Sequence, residues 1–135
     1  MIIAMDSGDR TRWILEQSRE QGFDLCGVAP AEAFAELGNL PEWLGCGYGG
    51  EMKYLADARR GDPRLVLPDA RSLIVVALNY NTARPLSTEH PAAGNSEAPR
   101  GWISRYAWGD DYHEIIGGKL EALIAAMRAH FPEPF

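Results

Sequence analysis

One segment of the chain concentrates the side chains that could bind a ligand. Trp102 to His113, with the sequence WISRYAWGDDYH, combines aromatic rings with hydroxyl, guanidinium, carboxylate and imidazole groups. Such a set offers hydrogen-bond donors, acceptors and flat surfaces to one planar polar molecule. The candidate binding residues in this segment are Ser104, Arg105, Tyr106, Asp111, Tyr112 and His113. The alternative is structural, with the rings in the core and Asp111 capping a helix.

A group of arginines is the second candidate. Arg59, Arg60 and Arg64 lie close together near the end of a predicted helix in an otherwise acidic chain. Guanidinium groups suit two-pronged hydrogen bonds to a phosphate or carboxylate, and we predict that Arg60 contributes to the site. The alternative is a favourable interaction of these cations with the negative end of the helix dipole.

Two polar residues follow the most apolar stretch of the chain. Asn79 and Tyr80 come directly after the run from Leu73 to Leu78. Ligands of open α/β sheets bind at the ends of strands, so both residues are candidates for a ligand-binding site. An ordinary boundary between a strand and a loop is the alternative.

The sequence argues against a metal centre built by this chain. Asp110, Asp111, His113 and Glu114 are near neighbours at the start of a helix, so their side chains fan around its axis and a tetrahedral set is hard to build from them. The two cysteines, Cys26 and Cys46, are too few for an iron-sulfur cluster or a structural zinc site. We predict no metal ligands, and we expect both thiols to be buried or half-buried packing groups.

Hydrophobic periodicity and breaker residues order the elements of the first half. These are a helix over Thr11 to Gln21, a strand over Phe23 to Val28, a short helix beginning at Pro41, and a helix over Glu51 to Arg59. Ser7 or Asp9 is available to cap the first helix. In the last of these helices, Met52 and Leu55 have the spacing of a buried stripe.

The second half carries the clearest strand and the longest helix. Its elements are a strand over Arg71 to Tyr80, a loop over Asn81 to Pro99, a strand over Gly101 to Ala107, and a helix over Asp111 to Phe131. The unbroken apolar run in the first strand is typical of a strand buried on both faces. Gly117 and Gly118 are unfavourable inside the helix, and such a pair allows close packing. The predicted class is therefore α/β, a small sheet with a central buried strand packed by helices.

Composition and charge exclude several classes of protein. The 135 residues suit a single domain, and 46% hydrophobic with 24% charged residues is typical of a folded chain. A formal net charge of −6 provides no overall basic surface for DNA. No apolar run approaches the roughly 20 residues of a membrane span, and no secretory signal is present. We predict a cytoplasmic protein with no membrane and no DNA partner.

Four strings of the sequence resemble the N-terminal region of epoxyqueuosine reductase. They occur in the order and approximate spacing of that family, and the resemblance covers roughly Thr11 to Phe135. The last of the four is the most specific. The strings are Gly49 to Leu55 (GGEMKYL), Asp62 to Pro68 (DPRLVLP), Arg71 to Tyr80 (RSLIVVALNY), and Ile103 to His113 (ISRYAWGDDYH).

The resemblance implies a cobalamin-dependent reductase that removes the epoxide oxygen of epoxyqueuosine in tRNA, the last step of queuosine biosynthesis. Members carry a cobalamin-binding N-terminal region, a ferredoxin-like region with two 4Fe-4S clusters, and a tRNA-binding C-terminal part. By this resemblance, Arg60 and the segment from Ser104 to His113 would hold the phosphate and amides of cobalamin. Asn79 and Tyr80 would edge the same cleft.

The family pattern continues beyond the present sequence. In the family, an Asp-(Ser/Thr)-(Gly/Ala)-Pro motif with the proposed proton-donating aspartate follows shortly after a pair such as Pro134-Phe135. We therefore expect residues 1–135 to form one incomplete N-terminal domain. The ferredoxin-like and tRNA-binding regions are expected to be absent, and no catalytic residue is assigned, because the proposed acid would lie beyond Phe135.

Two other interpretations remain open. The chain could be a non-catalytic module that binds a corrinoid or another planar ligand, or a structural half that docks on a separate chain. A reading frame that continues past Phe135 into Cys-x-x-Cys-x-x-Cys motifs would favour the enzyme.

Overall fold

The structure, a computed structural model, describes residues 6–86 and 103–132. Within these ranges the helices are α1 (Ser7–Glu20), α2 (Leu40–Gly45) and α3 (Tyr112–His130), and the strands are β1 (Leu25–Pro30) and β2 (Ser72–Ala77). The strands form a two-stranded sheet. They are antiparallel, because Asp24 bonds to Ala77 whereas Ala31 bonds to Arg71. The predicted α/β class is confirmed.

The chain divides into two compact units. The first comprises residues 1–26 and 76–135, and the second comprises Gly27–Val75, so the division falls inside both strands. Each unit is described below by itself.

In the first unit, α1 packs against α3 and forms the core. Ile14 on α1 and Leu123 and Met127 on α3 are buried, at the four-residue spacing that places side chains on one helix face. Phe23 and Phe131 are buried as well. The predicted helix over Asp111 to Phe131 is confirmed, and Leu123 and Met127 are its buried apolar residues.

The beginning of α1 differs in one detail from the sequence-based expectation. Asp6, rather than Ser7 or Asp9, is the cap residue, and its carboxylate accepts the backbone N–H of Asp9 at 2.7 Å. Asp6 has extended backbone angles, whereas Ser7 is already helical, so only Asp6 can direct its oxygen at the first turn.

The end of α1 is held by a lysine of α3. The ammonium nitrogen of Lys119 donates to the backbone oxygen of Gln21 at 2.7 Å and to that of Gly22 at 3.3 Å. These carbonyls lie where a helix has no partners of its own. Gly22 has a φ of 80°, and a Cβ there would lie 2.6 Å from the Lys119 nitrogen. The reversal and the close approach of the lysine both require glycine.

A serine hydroxyl is buried within this core and has a hydrogen-bond partner there. Ser18 is fully buried, and its Oγ donates to the Ile14 carbonyl at 2.8 Å and lies 3.1 Å from the sulfur of Cys26. Cys26 is half-buried, as predicted, but Cys46 is exposed at the end of α2. The prediction of a packed thiol is therefore wrong for Cys46.

In the second unit, the predicted helix over Glu51 to Arg59 is wrong. Two 3₁₀ turns, Lys53–Ala56 and Ala58–Arg60, take its place. Asp57 separates them because its backbone is extended and its carboxylate accepts the N–H of Arg59. Met52 is 41% exposed and forms no buried stripe. The short helix at Pro41 is confirmed as α2, with Pro41 in its first turn.

The expectation of a central buried strand is also wrong. β2 forms as predicted, but Val75 is 60% exposed and none of its residues is fully buried. A sheet of two strands has no central position, since each strand has a hydrogen-bonded neighbour on one side only. The apolar character of β2 therefore does not correspond to burial within the described residues.

One further prediction is wrong, and the close packing that a glycine pair allows is not used. The described part of the strand predicted over Gly101 to Ala107 is instead a 3₁₀ turn, Arg105–Ala107, which the bond from the Ala107 N–H to the Ser104 carbonyl closes. Gly101 and Trp102 lie outside the described residues. A Cβ at Gly117 or Gly118 would meet nothing within 4 Å, so this pair makes no close contact in the described structure.

Two neighbouring residues in α3 test the core. Leu123 is 2% exposed and Ile124 is 40% exposed. Leu123→Ala should lower the free energy of unfolding by about 2–5 kcal/mol, because it removes buried methyl groups and leaves a cavity. Ile124→Ala should have a much smaller effect. Urea denaturation followed by circular dichroism measures both, and equal losses would contradict the packing described here.

Candidate functional site

A row of aromatic rings lies on the surface of the first unit. The Tyr80 and Tyr106 ring centroids are 6.4 Å apart, those of Tyr106 and Tyr112 are 5.9 Å apart, and the Tyr112 and His113 rings stack at 4.0 Å. Tyr80, Tyr106 and Tyr112 are 61%, 52% and 40% exposed. We call these four residues the aromatic row. The structural alternative for this segment, in which the rings lie in the core, does not fit three tyrosines that are exposed to solvent.

Three separate stretches of chain supply the row. Tyr80 follows the end of β2, Tyr106 lies in the Arg105–Ala107 turn, and Tyr112 and His113 open α3. Between the turn and α3 the chain reverses at Gly109, which has a φ of 82°. The indole N–H of Trp108 donates to the Ile103 carbonyl at 3.0 Å and braces the turn.

Asp111 caps α3 and orients His113. Its carboxylate oxygen accepts the backbone N–H of His113 at 2.9 Å and lies 2.8 Å from Nδ1 of the same residue. These two hydrogen bonds, the backbone bond first, hold the pKa of Asp111 below its ordinary value. The structural role predicted for Asp111, a helix cap, is confirmed, and it leaves the other imidazole nitrogen directed away from the carboxylate.

A chain of polar contacts follows β2 and places Tyr80. The Asp24 carboxylate accepts the backbone N–H of Asn79 at 2.6 Å, and the side-chain oxygen of Asn79 accepts the N–H of Asn81 at 2.9 Å. The oxygen of Asn81 in turn accepts the N–H of Thr82 at 3.1 Å. The side chain of Asn79 is therefore engaged by the backbone of the turn that follows β2. The sequence analysis missed Asp24 and Asn81, although Asn-x-Asn spacing after a strand is a signal for such a turn.

Arg105 makes the densest set of contacts near the row. Its Nη1 donates to the side-chain oxygen of Asn81 and, at 3.2 Å, to the carbonyl of Thr82. Its Nη2 donates to the carbonyls of Arg84 at 2.6 Å and Pro85 at 2.9 Å. The guanidinium is thereby engaged with the segment that follows Tyr80. Ser104, the preceding residue, is exposed and contributes the carbonyl that closes the turn.

In the second unit, two of the three clustered arginines pair with aspartates. Arg59 bonds to Asp57 at 2.6 Å and Arg64 to Asp62 at 2.7 Å. The bond from the Arg59 side chain lowers the pKa of Asp57 to about 2, and the bond from Arg64 lowers the pKa of Asp62. The charges of both arginines are therefore balanced locally.

Arg60 has different surroundings. Its guanidinium carbon lies 4.7 Å from the centre of the Tyr54 ring, and its Nε donates to the Tyr54 carbonyl at 3.4 Å. Its charge is one of the causes that lower the pKa of Asp57, but no described ion pair joins it to a carboxylate, so its N–H groups can still bind an anion. Tyr54 was not singled out by the sequence analysis.

Most of the predicted site residues belong to one connected group. Tyr80, Arg105, Tyr106, Asp111, Tyr112 and His113 are joined by ring contacts or hydrogen bonds directly or through one neighbour, and Asn79 and Ser104 support them through the backbone. Arg60 lies in the other unit, so its place in a common cleft stays a prediction.

Over residues 6–86 and 103–132, no group of three or more His, Cys, Asp or Glu side chains is placed to hold a metal ion. Over the same residues, no helix has the length and apolar character that crossing a membrane requires.

Comparison with known proteins shows the family. A family model described as Epoxyqueuosine reductase QueG, DUF1730, matches residues 60–135. The chain is 41% identical over 121 residues to an epoxyqueuosine reductase of Gloeobacter violaceus, an alignment that covers 88% of this chain and 35% of that relative. The chain belongs to the epoxyqueuosine reductase family, as the four sequence strings predicted.

Solved structures agree with this assignment. A crystal structure of epoxyqueuosine reductase with a tRNA-Tyr epoxyqueuosine-modified tRNA stem loop has a TM-score of 0.73 and 25% identity, covering 93% of this chain and 33% of that one. An epoxyqueuosine reductase structure from Bacillus subtilis has a TM-score of 0.72 and 26% identity, covering 95% of this chain and 34% of that one. The chain thus spans about a third of the length of the relatives that it matches.

The lowered pKa of Asp111 makes the α3 cap sensitive to acid. Because the folded state favours the charged form, the cap stabilises the protein above the ordinary carboxyl pKa of 3.8 and loses that contribution as the pH falls through the lower folded value. Asp111→Asn keeps a capping oxygen but does not titrate. We expect the stability advantage of the original protein over this variant to shrink as the pH falls below 3.8.

Urea denaturation at a series of pH values measures that difference. Asp110→Asn is the matched control, because it removes a neighbouring carboxylate while the Asp111 cap stays in place. A difference between the original protein and Asp111→Asn that does not change with pH would contradict the assigned role of the carboxylate.

Proposed function

We propose that this chain is the cobalamin-binding N-terminal part of an epoxyqueuosine reductase, which reduces epoxyqueuosine to queuosine in tRNA. Family membership supports the reaction class, an oxidoreductase of queuosine biosynthesis. The solved neighbour that carries an epoxyqueuosine-modified tRNA stem loop supports tRNA as the partner. Because its substrate would be tRNA, we propose that the protein acts in the cytoplasm.

The aromatic row is the observation that carries the cobalamin proposal. Three exposed tyrosines and a histidine stand in contact on one surface, and exposed rings in a row suit a ligand with a broad flat face. Cobalamin has such a face, surrounded by amide groups that need hydrogen-bond partners. The hydroxyl groups of the three tyrosines and of Ser104, with the imidazole of His113, provide donors and acceptors at the edge. The residues present therefore fit the group.

Each part of the site would have a separate task. When bound, cobalamin supplies a cobalt centre that carries electrons to the epoxide. Tyr106, in the middle of the row, would support the flat face, while His113, oriented by Asp111, would offer its second ring nitrogen to the ligand. Arg60 would provide positive charge for the phosphate.

The electron supply must come from elsewhere. The family resemblance implies two 4Fe-4S clusters, each of which needs about four thiolate ligands. This chain has two cysteines, so it cannot hold either cluster by itself. Its net charge of −6 also makes it a weak surface for RNA phosphates. We therefore assign the clusters and most of the tRNA contact to the part of the relatives that this chain does not span.

Titration with cobalamin, followed by visible absorbance, tests the site. We expect saturable binding that Tyr106→Ala weakens roughly tenfold, because stacking on the middle of the row is lost. Tyr48→Ala is the matched control, since Tyr48 is a 65% exposed tyrosine in the other unit. Arg60→Ala should also weaken binding. Absence of saturable binding, or equal affinity for Tyr106→Ala and the original protein, would overturn the proposal.

Haemin distinguishes the main alternative in the same assay. Binding of haemin as tight as that of cobalamin would favour a general module for planar ligands over a corrinoid site. Preference for cobalamin supports the family role, because haemin offers a flat metal-containing ring but lacks the corrin macrocycle, the cobalt, the amides and the nucleotide phosphate of cobalamin.

The 135-residue chain should not complete the reaction alone. Given cobalamin, a chemical reductant and tRNA that contains epoxyqueuosine, it should form no queuosine above a control without protein, because we assign both the proton-donating aspartate and the cluster ligands to the part of the relatives that this chain does not span. Liquid chromatography with mass spectrometry of the digested tRNA measures the product. Clear turnover would show that an acid within this chain, with Asp111 examined first, serves the reaction.

A further inference from the structure

We propose that Arg105 is a positioning residue, which ties the segment carrying Tyr80 to the turn carrying Tyr106 and does not itself bind the phosphate of the ligand. This inference rests on the proposed cobalamin site and reassigns one of its predicted ligands. It follows from the oxygen atoms that already accept hydrogen bonds from the guanidinium group.

The two terminal nitrogens of Arg105 have four N–H bonds, and all four have acceptors. Two are directed to the Asn81 side chain and the Thr82 carbonyl, and two to the Arg84 and Pro85 carbonyls. A two-pronged bond to phosphate uses the same hydrogens. Arg105 can bind a phosphate in that way only by releasing the segment.

The contacts bridge parts of the chain that are far apart in sequence. Arg105 and Asn81 are separated by 24 positions, yet the bonds bring the segment after Tyr80 against the turn that contains Tyr106. Tyr80 and Tyr106 contact each other edge to face, at 6.4 Å between centroids. The contact between two exposed rings is too weak to order both the segment after Tyr80 and the turn that contains Tyr106. The Arg105 guanidinium is therefore the group that holds Tyr80 next to Tyr106.

The surroundings of Arg105 suit a structural arginine. It is half-buried, whereas Ser104 and Tyr106 on either side are exposed. Its guanidinium carbon also lies 5.8 Å from the centre of the Trp108 ring, which covers one face of the group. The planar fork reaches four oxygens at once, and an ammonium with three donors on one nitrogen cannot.

Two corrinoids separate positioning from phosphate binding. Cobinamide has the corrin ring and its amides but lacks the nucleotide and its phosphate. If Arg105 positions the row, Arg105→Ala weakens cobalamin and cobinamide by the same factor, roughly tenfold. Arg60→Ala is the contrasting variant, and it should weaken cobalamin while leaving cobinamide unchanged. Loss of cobalamin affinity alone in Arg105→Ala would make Arg105 a phosphate ligand and overturn the proposal.

Two more variants separate the fork from its charge and from folding. Arg105→Lys keeps the charge but not the fork, so it should bind both corrinoids more weakly than the original protein. Affinity equal to that of the original protein would show that charge alone matters, against the proposal. Arg105→Gln replaces the alanine variant if the latter has a lower urea midpoint, because its amide retains part of the hydrogen bonding.

Hydrogen exchange on the ligand-free protein tests the clamp without any corrinoid. The amides of Asn81, Thr82 and Arg84 are held by bonds within the clamped segment, so they should exchange faster in Arg105→Ala, while the core amides of α3 stay unchanged. Unchanged exchange of the three amides would overturn the positioning role. If the original protein bound neither corrinoid while exchange still rose in the variant, the proposed function would fail and the clamp would stand.

Discussion

The packing of α1 against α3 is the interaction on which the first unit depends, and Ile14 of α1 and Leu123 and Met127 of α3 are buried side chains of these two helices. This contact fixes α3, and the beginning of α3 carries Asp111, Tyr112 and His113. Because the binding candidates have little buried surface of their own, their positions derive from a core that lies several turns further along the helix. Lys119 strengthens the same arrangement, since it joins α3 to the end of α1 through backbone carbonyls.

The surface that we assign to the ligand is organised by polar contacts rather than by packing. Asp24 holds the backbone at Asn79, Asn79 holds Asn81, and Arg105 gathers the carbonyls that follow. Apart from the Asp24 carboxylate, which accepts a backbone N–H, these acceptors are neutral amide and carbonyl oxygens, so the arrangement does not depend on ion pairs that salt would screen. A row of rings that meet mostly edge to face can thus remain exposed to solvent and still keep a defined arrangement.

In the second unit, ion pairs between arginine and aspartate organise the surface. Arg59 and Arg64 are each balanced by an aspartate two positions earlier, which leaves Arg60 over the Tyr54 ring as the arginine with an available charge. A cluster that looks basic in the sequence is therefore largely neutralised at short range. The same pairs stabilise the 3₁₀ turns, because each aspartate also accepts the N–H of its arginine.

Local sequence patterns were sufficient to predict most of the helices and strands of this protein. The positions of α1, α2 and α3, the two strands and the cap at Asp111 follow from short-range spacing, since caps, breakers and helical periodicity act within a few residues. The family followed from the resemblance of four strings. The identity of nearly all the residues around the aromatic row was also visible in the sequence. Only their pairing was not.

Tertiary structure decided the features that depend on distant neighbours. The apolar run of β2 predicted burial on both faces, but burial depends on how many strands and helices surround a strand, and no local pattern gives that number. Arg105 could be assigned to a ligand as readily as to a clamp until its four acceptors, 20 to 24 positions away, were in place. Sequence specifies which groups are able to bond. The fold decides which of them are already bonded to the protein itself.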